Sequence, residues 1–177
     1  MLRNILVYGV LAGLIVGVPL TVLTLSMSGY TMMHWGMLIG YASMLLAFST
    51  IFIAVKRRRD EVCGGVIRFW PAFALGLGIT FVASLVYVAA WEFGQALSGG
   101  DFAAVYSHAI IEQKRAAGLS GEALARLTTE MADFRRSYAN PLYRLPMTFA
   151  EIFPVGVLVS LVAAALFRNS RFLPARG

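Results

Sequence analysis

Four long apolar blocks decide what this chain can become: Ile5–Leu25, Trp35–Val55, Phe69–Leu97 and Met147–Phe167. They contain no lysine or arginine, and their only acids are Glu92 in the third and Glu151 in the fourth. A helix rises 1.5 Å per residue and crosses the bilayer hydrocarbon in about 20 residues, so each block is long enough to span. A soluble core helix of that length keeps a polar face, and these blocks have none. Composition agrees: 59% of the chain is hydrophobic and 14% charged, against roughly 45–50% and 25% in an average globular protein. The expected fold is all-α, an integral membrane four-helix bundle.

The first block could be mistaken for a secretory signal, since Arg3 precedes it and Ser26-Met27-Ser28 resembles a cleavage site. Signal cores run about 7–15 apolar residues, and this block is longer, so a retained helix is expected.

The net charge of +6 raises nucleic acid as a partner, but the bases lie at the ends of the apolar blocks, as topology signals do. We therefore expect no nucleic acid and look instead to the lipid bilayer, including its anionic headgroups. The first connection, Ser26–His34, carries no base, whereas the second carries Lys56, Arg57, Arg58, Arg59 and Arg68. Arg3 precedes the first block and Arg168, Arg171 and Arg176 follow the last. The long third connection mixes Lys114 and five arginines with Asp101, Glu112, Glu122, Glu130 and Asp133 and opposes nothing. The positive-inside rule then puts both termini in the cytoplasm (N-in/C-in) and the long connection outside. Trp35 and Trp91 would sit at the outer interface and Trp70, beside Pro71, at the inner one, depths that suit amphipathic rings. The single cysteine, Cys63, cannot form an intrachain disulfide and has no histidine beside it in sequence.

The chain therefore divides into residues 1–97, with helices at about 5–25, 35–55 and 69–97; residues 98–145 outside the membrane; and residues 146–177, a fourth helix and cytoplasmic tail. Small residues recur every four positions: Gly9, Gly13 and Gly17; Gly36 and Gly40, then Ser43 and Ala47; Ala72, Gly76, Thr80 and Ser84; Gly156, Ser160 and Ala164. Such ribbons let backbones approach closely. They serve either to seat the four helices on each other, the reading preferred, or to form a homo-oligomer.

The 98–145 segment reads as an extracytoplasmic helical hairpin. Asp101 is a good N-cap for a helix from Phe102 to Ala117, with Phe102, Val105, Ala109 and Ile110 as its apolar side and Gly118 as its stop. Ser120 can cap a second helix with a stripe of Leu124, Leu127, Met131, Phe134 and Tyr138, ended by Asn140-Pro141. The stripe could cover the rest of its own protein, bind a protein partner or lie on lipid.

The candidate intramembrane polar site is Glu92, Glu151 and His34, which this topology places at similar depth near the outer ends of their helices. Converging, they would suit an ion, a proton or a metal, although no ligand spacing indicates one. The plainer expectation is that the acids reach water or a hairpin base such as Arg135 or Arg144. His108 is expected to face solvent. No GxSxG, HExxH, CxxC or P-loop pattern occurs, so no catalytic residue, cofactor or metal is called.

The most distinctive local string is the basic turn from Lys56 to Phe69, read as a membrane-surface loop whose Lys56, Arg57, Arg58, Arg59 and Arg68 meet headgroups at about 1 kcal/mol each. Its K-x-x-R-D-x-x-x-G-G-x-I-x-F arrangement is carried by Lys56, Arg59, Asp60, Gly64, Gly65, Ile67 and Phe69. A long helix follows with Trp91-Glu92 near its end, and the last helix is entered through Met147, Glu151 and Pro154. In these features and in length the chain resembles the bacterial four-span membrane family catalogued as domain of unknown function 4199. The resemblance implies a bacterial inner-membrane location and no known activity. The leading functional expectation is a non-enzymatic protein that binds a partner or lipid. The alternatives are a small transporter or ion/proton-coupled protein using Glu92 and Glu151 and, last, a membrane-embedded enzyme.

Overall fold

The computed structural model describes residues 1–26, 29–99 and 101–174; the side chains of residues 26, 29–35 and 37 lie outside the described set. Among the described residues the chain forms six helices and no strand: α1 (Leu2–Ser26), α2 (Gly29–Val62), α3 (Phe69–Ser98), α4 (Phe102–Ala116), α5 (Gly121–Tyr138) and α6 (Pro141–Phe167). Four of them, within α1, α2, α3 and α6, are long and apolar enough to cross a membrane. Large apolar side chains such as Leu45, Phe93 and Leu158 are exposed around the outside. Such a surface is expected of helices that meet lipid rather than water.

α3 is the central helix, with α1 and α6 packed most extensively against it and α2 against α1 and α6. The seating of α1 is dictated by glycine. A Cβ on Gly9 would come within 2.6 Å of Val82, one on Gly13 within 2.5 Å of Val86, and one on Gly17 within 2.7 Å of Ala90. Their regular offset means that α1 and α3 run parallel with backbones nearly touching, a contact that only glycine permits. On the other side, Gly76 of α3 faces Ser160 of α6, and Gly156 of α6 faces Thr80 and Phe48. There the Thr80 and Ser160 hydroxyls lie 3.2 Å apart. Ser160 also donates to its own helix at Gly156 O, so these polar groups are satisfied away from water. The ribbons of α1, α3 and α6 are thus used within the molecule. Gly40 of α2 differs, with open space around it.

α2 is longer than its apolar block. It continues through the basic string to Val62 because Lys and Arg are good helix formers and pair with acids one turn on: Lys56 with Asp60, and Arg57 with Glu61 at 2.8 Å. The turn begins only at Cys63, where Gly64 and Gly65 take φ of +63° and +88°, values that favour glycine. α6 also starts early, at Pro141 rather than Met147. Asn140 caps it by accepting from Leu142 N–H at 3.0 Å, and proline fits the first turn.

The hairpin closely follows its capping signals. Asp101 accepts from Ala104 N–H at 2.9 Å, and Gly118 takes φ of +91° just after α4. The stripe Leu124, Leu127, Met131, Phe134 and Tyr138 is the covered side of α5. On α4 the covered side is rotated from expectation. Ala103 and Ser107 are buried, whereas Val105 is exposed, because the helix turns Phe102 and Ala103 toward Trp91.

Candidate polar sites at the two ends of the bundle

At the hairpin end, Glu92 in the last turns of α3 meets Arg144 in the first turns of α6. Arg144 Nε donates to Glu92 Oε1 at 2.7 Å and Nη2 to Oε2 at 2.6 Å, while Nη1 reaches the Tyr138 carbonyl at 3.3 Å. This two-pronged geometry suits a guanidinium and a carboxylate. The same guanidinium lies 5.8 Å from the Tyr138 ring centroid. The Tyr138 hydroxyl accepts from Trp91 Nε1 at 2.8 Å, and Phe102 sits edge-on to Trp91 at 4.9 Å. Burial pushes the Tyr138 phenol up from its ordinary value. At the start of α4, the Ala104 N–H and Arg135, 3.2 Å away, hold the Asp101 carboxyl below the usual range. These contacts fasten the hairpin to α3 and α6. They also correct the placing of Trp91, which is 6% exposed and packed inside rather than at a lipid interface; Trp70, at 72%, is exposed.

Glu151 is elsewhere. It accepts from the Tyr87 hydroxyl at 3.3 Å, and Tyr87 lies a turn and a half deeper in α3 than Glu92, roughly 7–8 Å at 1.5 Å per residue. The two acids therefore do not share a depth, and they do not converge. The difference from the sequence expectation has its cause in the start of α6: with the helix beginning at Pro141 rather than Met147, Arg144 faces Glu92 and Glu151 falls deeper. A carboxylate at a helix centre costs about 2.5–3.5 kcal/mol on insertion scales, less toward the ends. His34 lies on α2, with its side chain outside the described residues. Among the described residues no group of His, Cys, Asp and Glu could hold a metal. The sequence reading missed Tyr87 and Tyr138 as polar partners, since tyrosine in an apolar helix carries no signal until its neighbour is known.

At the opposite end, the basic string does not behave as one surface loop. Arg59 is fully buried. Its Nε donates to Asp60 Oδ1 at 2.7 Å, its Nη1 to the Phe172 carbonyl at 2.7 Å, and its Nη2 to the Leu173 carbonyl. Its guanidinium stands 5.1 Å from the Phe167 ring centroid. Arg59 is therefore corrected from a headgroup-facing cation to an internal latch on the segment after α6. The motif residues share this work. Lys56 and Arg59 both grip Asp60, Gly64 and Gly65 make the turn, Ile67 is buried, and Phe69 stacks on Phe73 at 5.9 Å.

One open groove of about 680 Å³ lies on the hairpin between α4 and α5, mostly apolar, with His108, Glu112 and Arg135 on its walls.

Six helices, four of them apolar spans, with charge pairs at both ends, define a multi-pass helical membrane protein. The family model described as "Protein of unknown function (DUF4199)" matches residues 7–169, and the chain belongs to that family. No match was found among curated proteins or among solved structures.

Proposed function

We propose that the chain is a bacterial inner-membrane protein with both termini cytoplasmic, that it is not an enzyme, and that it binds a protein partner or lipid through its two extramembrane ends. The observation that carries this reading is the hairpin. It is fastened to the bundle through Arg144–Glu92 and Tyr138–Trp91, and an open groove, with Met131 of the apolar stripe on its wall, lies between α4 and α5. Elements held this rigidly present a surface without paying to order it on binding. At the other end, Asp60 and Glu61 are engaged by Lys56, Arg59 and Arg57. Arg58, Arg68, Arg168 and Arg171 are left without a carboxylate among the described residues, which suits anionic headgroups.

The alternative of a transporter with Glu92 and Glu151 as a joint site loses its geometric support, because one acid is held by Arg144 and the other lies deeper against Tyr87. Gentle extraction followed by native mass spectrometry tests the proposal. The expected result is co-purified anionic lipid or a second protein. A lipid-free, partner-free monomer would sink the reading.

A further inference from the structure

The side of α6 that faces away from the bundle runs through Met147, Glu151, Leu158 and Val162, residues offset by four and seven and therefore stacked along one line. All four are exposed, Leu158 at 62%, and all but Glu151 are apolar. The carboxyl thus opens on a face made for lipid, yet it lies within the span rather than at its end. Among the described residues, every neighbouring element leaves it without a cation. α3 contributes Tyr87, 4% exposed, whose hydroxyl donates to Oε2, and Glu92, already held by Arg144. Arg144 is also the nearest base on α6 itself. α5 contributes Tyr138, which is engaged with Trp91. Between residues 38 and 55, α2 has no charged residue, and its Tyr41 is exposed.

A second feature at this level points the same way. Pro154 lies inside α6 and has no N–H, so the carbonyl of Ala150, four residues earlier, lacks its helical donor. The site therefore sets the carboxylate against a single donor, the Tyr87 hydroxyl. Among the described residues Glu151 Oε1 has no hydrogen-bond partner.

We propose that Glu151 is a proton-binding site at membrane depth, framed by Tyr87 and the Pro154 gap in α6. One proton from water joins the carboxylate to give a neutral acid; no other bond forms or breaks. Loading cancels the charge on the lipid-facing stripe and turns one acceptor into a donor. The site is independent of the binding surfaces proposed above.

The test uses the full chain in vesicles of neutral phospholipid, probed with dicyclohexylcarbodiimide. This apolar reagent takes the proton of a neutral carboxylic acid on its nitrogen while the carboxyl oxygen bonds to its carbon. The adduct then rearranges to a stable acylurea. The expected result is an adduct on the Glu151 peptide that grows as pH falls, is absent in Glu151→Gln, and does not form on the paired Glu92. Infrared spectroscopy of the unmodified chain gives a readout that does not depend on folding of the variant: a carboxylic-acid carbonyl band at neutral pH, assigned to glutamate by its shift to lower frequency on carbon-13 labelling of glutamate carboxyls. An unlabelled Glu151 at every pH, or equal labelling by a water-soluble carbodiimide, overturns the proposal.

Discussion

Replacing Arg144 with glutamine removes the charge and both prongs from Glu92, leaving a shorter, neutral polar side chain. The pair is neither fully buried nor exposed: the side chains retain 20% and 32% of their accessibility. Breaking a fully buried ion pair costs about 3–5 kcal/mol, and an exposed one is worth about 0–1 kcal/mol. Two charge-assisted hydrogen bonds at intermediate burial place the loss at about 2 kcal/mol. The contact at risk is the fastening of the hairpin, because Arg144 also holds the Tyr138 carbonyl at the end of α5. A loss of that size raises the open population of the docked hairpin about 30-fold. Hydrogen–deuterium exchange in detergent micelles or nanodiscs reads this directly: amides at the C-terminal end of α5 should speed up by that factor, while those in the middle of α3 stay protected. Glu92→Gln should give a similar change, and the double variant should be far less than additive, since the two residues act as one contact. An acceleration of less than about twofold, or fully additive single variants, would refute the idea that this pair fastens the hairpin.

Two further perturbations probe the bundle and its far end. Gly13→Ala forces a Cβ to within 2.5 Å of Val86 and 3.0 Å of the Ala83 carbonyl, so it should lower thermal stability in detergent by about 1–3 kcal/mol. Gly40→Ala, placed in open space, should leave stability unchanged or slightly raised, and the reverse order would show that the α1–α3 seam is misassigned. Arg59→Met removes the donors to the Phe172 and Leu173 carbonyls at about 1.5–3 kcal/mol for each bond to a charged group. Trypsin should then cut after Arg168 and Arg171 at least about tenfold faster than in the parent chain, and an unchanged rate would show that the latch does not restrain the tail.

Much of this architecture can be read from hydropathy alone, because a span must be apolar on every side for about 20 residues and α1 and α3 have little competing signal. The hairpin is legible for a different reason: Asp101, Gly118 and the stripe from Leu124 to Tyr138 are local rules acting over one or two turns. Reading by blocks fails where a helix outlasts the lipid. Lys56–Asp60 and Arg57–Glu61 carry α2 past its apolar stretch, and Asn140-Pro141 starts α6 well before Met147. Those shifts then displace everything counted from them, which is why Glu92 and Glu151 were expected at one level. The burial of Arg59 was illegible in principle, since its acceptors lie 113 and 114 residues further along the chain. A buried cation and a headgroup-facing one look identical as a letter in a basic run.

That separation has a consequence for how the chain is made. Arg59 emerges during synthesis with α2, long before α6 and the segment behind it exist. Until Phe172 and Leu173 arrive, its guanidinium lacks those two carbonyl acceptors and must be satisfied by water. Only a chain whose fourth span has entered in the correct direction delivers those carbonyls to the same side. A molecule with α6 left out or reversed would leave the Arg59 guanidinium without those two acceptors.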